Sequence, residues 1–162
     1  MALDIATHTG FCSHDCSGMI DLSKEFCREQ ALYNFLWELN AAYNLETIAV
    51  ERVAGQHKNA LIVMSRLHGV VRLFAHENDI DVIQFSAGEI KKDFTGKGNA
   101  KKPQMIERFK ELTGKVPVSD DEADAYALYR LALKQEHPLD FRRIPDEELR
   151  KSRNDAYEYL IR

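Results

Sequence analysis

Two short apolar runs, residues 47–51 (TIAVE) and 81–85 (DVIQF), each follow a stretch with helical length and periodicity, and this alternation restricts the fold more than any other feature. Residues 26–43 place Leu32, Phe35, Leu36, Leu39 and Tyr43 on one helical face. Residues 57–76 carry Ala60, Leu61, Val63, Met64, Leu67, Val70, Val71 and Phe74, an apolar face wide enough for two adjoining stripes. Residues 1–6 (MALDIA) read as a buried strand, and 10–13 and 18–22 as two further strands of a meander hinged at 14–17. Strands first, then helix and strand in alternation, predict an α/β protein with a five-stranded mixed sheet flanked by helices. A loop or short helix spans 86–100, helices follow at 102–112 and 119–135, and a charged helix is expected over about 145–161. At 162 residues the chain reads as one domain, 1–140, with 141–162 as a helical extension of it.

The helix at 119–135 opens with an unusual run of acids: Asp120, Asp121, Glu122 and Asp124. Ser119 with Glu122 three residues on is a capping-box pattern, and acids suit the positive end of a helix. Capping does not explain Asp124. Positions 124, 127, 128 and 131 form one stripe whose other members are Ala127, Leu128 and Leu131. A carboxylate on a core-facing stripe is costly unless it is paired, protonated or bound to a cation. Asp121 points the same way from one turn earlier.

Two further acids stand in apolar strands, Asp4 in the first and Glu51 at the end of the fourth. In an α/β sheet, the carboxyl ends of parallel strands are the usual place for a site. Asp4, Glu51, Asp121 and Asp124 can therefore converge. At ~4 Å and an effective dielectric of ~20, each pair of such charges repels by roughly 4 kcal/mol. Oxygen-only ligands of this charge select magnesium or manganese, and two such ions can clamp the attacking and leaving oxygens of a phosphodiester.

The net charge of −4 argues against nucleic acid only until its distribution is considered. Lys91, Lys92, Lys97, Lys101 and Lys102 form a basic patch relieved by Asp93 alone, and a patch of this kind can bind phosphates on an acidic molecule. No apolar run approaches a membrane span and no signal peptide is visible, so a cytoplasmic protein is expected. Cys12, Cys16 and Cys27 lack zinc-finger spacing and are expected to be reduced and structurally incidental.

From Asp4 to about Leu133 the chain resembles the RuvC-type Holliday-junction resolvases of the RNase H-like superfamily, and is most similar to phage-encoded members. The segment IKKDFTGKGNAKKPQ at 90–104 follows the family pattern V-K-x-x-x-x-G-x-G-x-A-x-K-x-Q. The segment DEADA at 121–125 matches D-x-A-D-A, DIATHTG at 4–10 resembles the first motif, and Val50-Glu51 the second. The resemblance implies an RNase H-like fold and a homodimer that cuts four-way junctions and other branched DNA, in the host cytoplasm if phage-encoded. It implies that Asp4, Glu51, Asp121 and Asp124 bind two magnesium ions, manganese substituting, and that cleavage leaves 3′-hydroxyl and 5′-phosphate ends. Lys102 would lie near the scissile phosphate as a catalytic residue, Lys91 would contact the DNA backbone, and Gly96 and Gly98 would let their loop approach DNA. Another RNase H-like nuclease, acting on RNA–DNA hybrids or in integration, and a non-catalytic branched-DNA-binding module are the alternatives. The first motif lacks the family's Pro-Gly and is one residue short, and Ala54 stands where cellular members carry a base-stacking aromatic.

Overall fold

The computed structural model describes residues 1–54 and 58–134. The helix expected at 145–161 and the boundary at residue 140 lie outside the described residues.

Five strands form one mixed sheet: β1 (Ala2–Asp4), β2 (His8–Cys12), β3 (Ser17–Asp21), β4 (Thr47–Glu51) and β5 (Asp81–Phe85), in the order β3-β2-β1-β4-β5. β2 runs antiparallel to both β1 and β3, while β1, β4 and β5 are parallel. The expected class is therefore the observed one. α1 (Arg28–Tyr43) links β3 to β4, α2 (Lys58–Glu77) links the parallel β4 and β5, and α3 (Ala87–Thr95), α4 (Lys102–Thr113) and α5 (Asp120–Leu133) follow among the described residues.

Strand alternation divides the core into two layers. Leu3, Ile48 and Val50 face α1 and α2, where they meet Leu32, Leu36, Leu67, Val71 and Phe74. Ala2, Ala49, Ile83 and Phe85 face the other way, against Phe94, Met105, Phe109, Ala123, Ala127 and Leu128 of α3, α4 and α5. The small residues on this second face matter for function. Ala2 and Ala49 on the sheet and Ala123, Ala125 and Ala127 on α5 let the helix lie close to the strands.

Three boundaries differ from the sequence expectation. β1 stops at Asp4, because Ile5–Thr7 turn back under two contacts from Thr9, whose hydroxyl donates to the Ala6 carbonyl at 2.7 Å and accepts from the Ala6 amide at 3.4 Å. β2 consequently starts at His8, two residues earlier than its apolar content suggests. The segment at 86–100 resolves as a helix through Thr95, since Ser86 and Glu89 form a complete capping box and Gly96, at φ 79°, ends it in the left-handed conformation. Along α2, the residues buried are Leu67, His68, Val71, Phe74 and Ala75, with Val63 and Val70 at the margin. Its large exposed apolar side chains are Ile62 and Leu73, which lie outside the apolar face expected from the sequence, while Ala60 of that face is exposed. None of the helices among the described residues is long and apolar enough to cross a membrane.

Candidate active site

Asp4 is the last residue of β1 and Glu51 the last of β4, so both end parallel strands at the same edge of the sheet. The register pairs Ala2 with Ala49, and alternation then sets Asp4 and Glu51 on the face that carries α5. Across β2, Asp4 is paired with Gly10. A side chain at Gly10 would overlap the carbonyl of Asp121, so the first turn of α5 sits directly on the strand there. Gly10 thereby brings Asp121 and Asp124 against the edge that holds Asp4. Sequence reasoning placed Gly10 in a motif and overlooked this packing role, although a glycine inside a strand is a signal for close backbone approach.

The acids sense one another. Burial first, then the charges of Asp124, Glu51, Asp121 and Asp120, hold the Asp4 carboxyl well above the usual carboxylate range. Burial pushes Asp124 up to about 6, with Asp120 and Asp121 adding to the rise and Lys91 and Lys102 opposing it. Glu51 is raised by burial and by Asp124, and lowered by Lys91. Asp121 is raised by burial and by Asp120. Burial and neighbouring charge thus disfavour the ionised form of all four carboxylates. Among the described residues, no group of three or more His, Cys, Asp or Glu side chains is arranged to hold a metal ion. The donor chemistry nevertheless fits a hard divalent cation, because every donor is a carboxylate oxygen.

The lysines divide into two groups. Lys91, half-buried on α3, acts on both Glu51 and Asp124 and so borders the cluster. Lys102, the first residue of α4, forms an ion pair with Asp120, the first residue of α5. Lys97 and Lys101 are exposed. Gly96 caps α3, and a side chain at Gly98 would crowd the Gly88 carbonyl at 3.2 Å, so both glycines have structural reasons independent of DNA.

Two acids in the α5 run do work that sequence analysis gave to capping. Ser119 accepts from the Glu122 amide at 3.2 Å, the first half of a capping box. The Glu122 carboxylate does not return the bond. Instead it accepts from the Val118 amide and from the Ser17 hydroxyl, each at 2.6 Å, and is buried. It thereby ties the start of α5 to β3, between Asp121 and Asp124 in the chain. Asp120 likewise points to Lys102. Cys12, Cys16 and Cys27 are free thiols, and burial pushes the Cys12 thiol up to about 12.

With this geometry in place, the comparisons with known proteins bear on it directly. Residues 8–131 match the model of the family described as crossover junction endodeoxyribonuclease RuvC. The chain belongs to the RuvC family. It is 28% identical over 108 residues to the RuvC of Caldicellulosiruptor saccharolyticus, an alignment covering 65% of each chain. It is 28% identical over 127 residues to that of Prochlorococcus marinus strain MIT 9312, covering 75% of this chain and 80% of the relative. With the RuvC of Anaeromyxobacter sp. strain Fw109-5 it is 36% identical over 81 residues, 49% of this chain but only 39% of that protein. The chain thus spans less than two thirds of the length of two of these three relatives. All three are bacterial, so they lend nothing to the expected closeness to phage-encoded members. Among solved structures, Thermus thermophilus RuvC in complex with a Holliday junction substrate superposes with a TM-score of 0.65 at 18% identity, covering 80% of this chain and 88% of that one. A second T. thermophilus RuvC structure gives 0.64, with 80% and 91% covered. At that identity the superposition establishes the RNase H-like fold expected from the motifs.

Proposed function

We propose that this RuvC-family chain is a metal-dependent endodeoxyribonuclease that cleaves Holliday junctions and other branched DNA. The observation that supports the reading is the repulsion that Asp4, at the end of β1, experiences from Glu51, Asp121 and Asp124, in a chain of the RuvC family. Their carboxylates would hold two magnesium ions, with manganese able to replace them. When bound, such ions supply an activated water and neutralise charge on the phosphodiester, leaving 3′-hydroxyl and 5′-phosphate ends.

The remaining roles belong to side chains of this chain. Lys102, exposed and paired with Asp120, would meet a backbone phosphate near the scissile bond, and Lys91, which acts on Glu51 and Asp124, would offer a second cation. Gly96 and Gly98 keep the α3–α4 connection free of side chains where DNA would pass. Ala54, on the stretch after β4, offers no ring to stack on an unpaired base, which favours a broad range of branched substrates. The deciding experiment incubates labelled four-way junction, fork, linear duplex and RNA–DNA hybrid with the protein, with and without magnesium. Magnesium-dependent cutting of junction and fork in preference to linear duplex is expected. Preferential hydrolysis of the hybrid, or metal-independent cutting, would refute the proposal.

Paired cuts across a junction require two active sites, and a two-fold homodimer supplies them. The exposed side chains Ile62 and Leu73 of α2, with Trp37 of α1, are the apolar surface we assign to that contact. Sedimentation is expected to give a dimer at micromolar concentration, and Leu73→Glu a monomer that nicks without paired cuts. A monomeric wild type making coordinated cuts would exclude this arrangement.

A further inference from the structure

The ion pair of Lys102 with Asp120 joins a cation assigned to DNA to an acid outside the ion-binding set. Lys102 opens α4 and Asp120 opens α5, so one contact spans the start of both helices. The lysine side chain is 72% exposed and the aspartate 32%, which leaves the pair open to a large polyanion. Lys102 is also drawn by Asp121 and Asp124, and Asp120 adds to the repulsion that Asp4, Asp121 and Asp124 experience. The ammonium group therefore rests at the border of the acids, held there by Asp120, whose carboxylate also bonds its own backbone amide and is drawn by His8.

We propose that Asp120 is a positioning residue that latches Lys102 in the DNA-free protein, and that a backbone phosphate takes the place of its carboxylate when the substrate binds. This rests on the reading of Lys102 as a phosphate contact. Carboxylate and phosphodiester are both singly charged oxyanions, so the exchange replaces one charge-assisted contact by another. Exposed ion pairs are weak, which makes the latch one that substrate can open. One consequence follows. The free protein keeps the Lys102 cation partly neutralised, which limits unproductive binding to phosphate backbones.

The test is a double-mutant cycle on affinity for a four-way junction, measured without divalent metal and across a range of salt. Lys102→Ala is expected to weaken binding and to lower the slope of log affinity against log salt by about one. Asp120→Asn is expected to tighten binding, and by about three-fold more when Lys102 is present than when it is alanine. Equal gains in both backgrounds would reduce Asp120 to a repelling charge and overturn the latch. Loss of cleavage by Asp120→Asn at unchanged affinity would make it part of the ion site, and would also overturn it. If Lys102→Ala alone alters neither affinity nor cleavage, the assignment of Lys102 to DNA fails first and the latch falls with it. A normal effect of Lys102→Ala with no coupling sinks the latch alone.

Discussion

Asp124→Asn is expected to abolish cleavage while making the metal-free protein more stable. The amide keeps the shape of the side chain and removes the charge that a cation needs. Loss of an ion position removes several kcal/mol of transition-state stabilisation, on the order of a thousand-fold or more in rate. Stability moves the other way. The native carboxyl titrates at about 6 against an ordinary value of 3.8, so the folded protein binds this proton more tightly than the unfolded chain does. The cost of the charge is therefore absent below about pH 4, grows between pH 4 and 6, and is complete above pH 6. It amounts to at most about 3 kcal/mol. Thermal unfolding in a chelator should place the variant several degrees above wild type at pH 7.5 and level with it near pH 4. Magnesium should raise the melting temperature of wild type more than that of the variant. Cleavage at the wild-type rate, or a variant less stable at neutral pH, would remove Asp124 from the ion-binding set.

Gly10→Ala should damage both stability and catalysis, although Gly10 carries no functional group. The added methyl falls on the Asp121 carbonyl, and backbone cannot swing away as a flexible side chain can. Overpacking of this kind costs about 3 kcal/mol. What survives folding must carry α5 displaced from β2, with Asp121 and Asp124 moved relative to Asp4. A displacement of about 1 Å can lower a rate on the order of a hundred-fold. The expected pattern is a lower melting temperature together with a fall in kcat that exceeds any change in junction affinity. Gly69→Ala is the matched control, since nothing lies within 4 Å of a side chain there and the residue sits within α2. It should be neutral or stabilising by up to about 1 kcal/mol. A Gly10→Ala protein as stable and active as this control would show that α5 does not depend on the close approach.

The sequence by itself determined the class of fold and singled out the acids proposed as the site. Alternating periodicities at 26–85 demand strands with helical crossovers, and β4 and β5 fall where their apolar runs place them. Asp4, Glu51 and Asp124 were legible because a carboxylate in an apolar pattern violates the ordinary cost of burial, and such a violation is visible without coordinates. Local chemistry also determined the end of α4, through Gly114. Only the tertiary structure decided how the acid run at 120–124 is shared out. Capping, ion pairing and strand anchoring all begin from the same residue types at the same helix start. Which one a carboxylate serves depends on partners distant in the chain: Lys102 lies 18 residues from Asp120, and Ser17 lies 105 from Glu122. The same holds for α2, where a broad apolar face fixes that the helix is buried but not which stripe meets the sheet. That choice follows from the rotation of the helix against α1 and β5, a long-range packing outcome that no local pattern encodes.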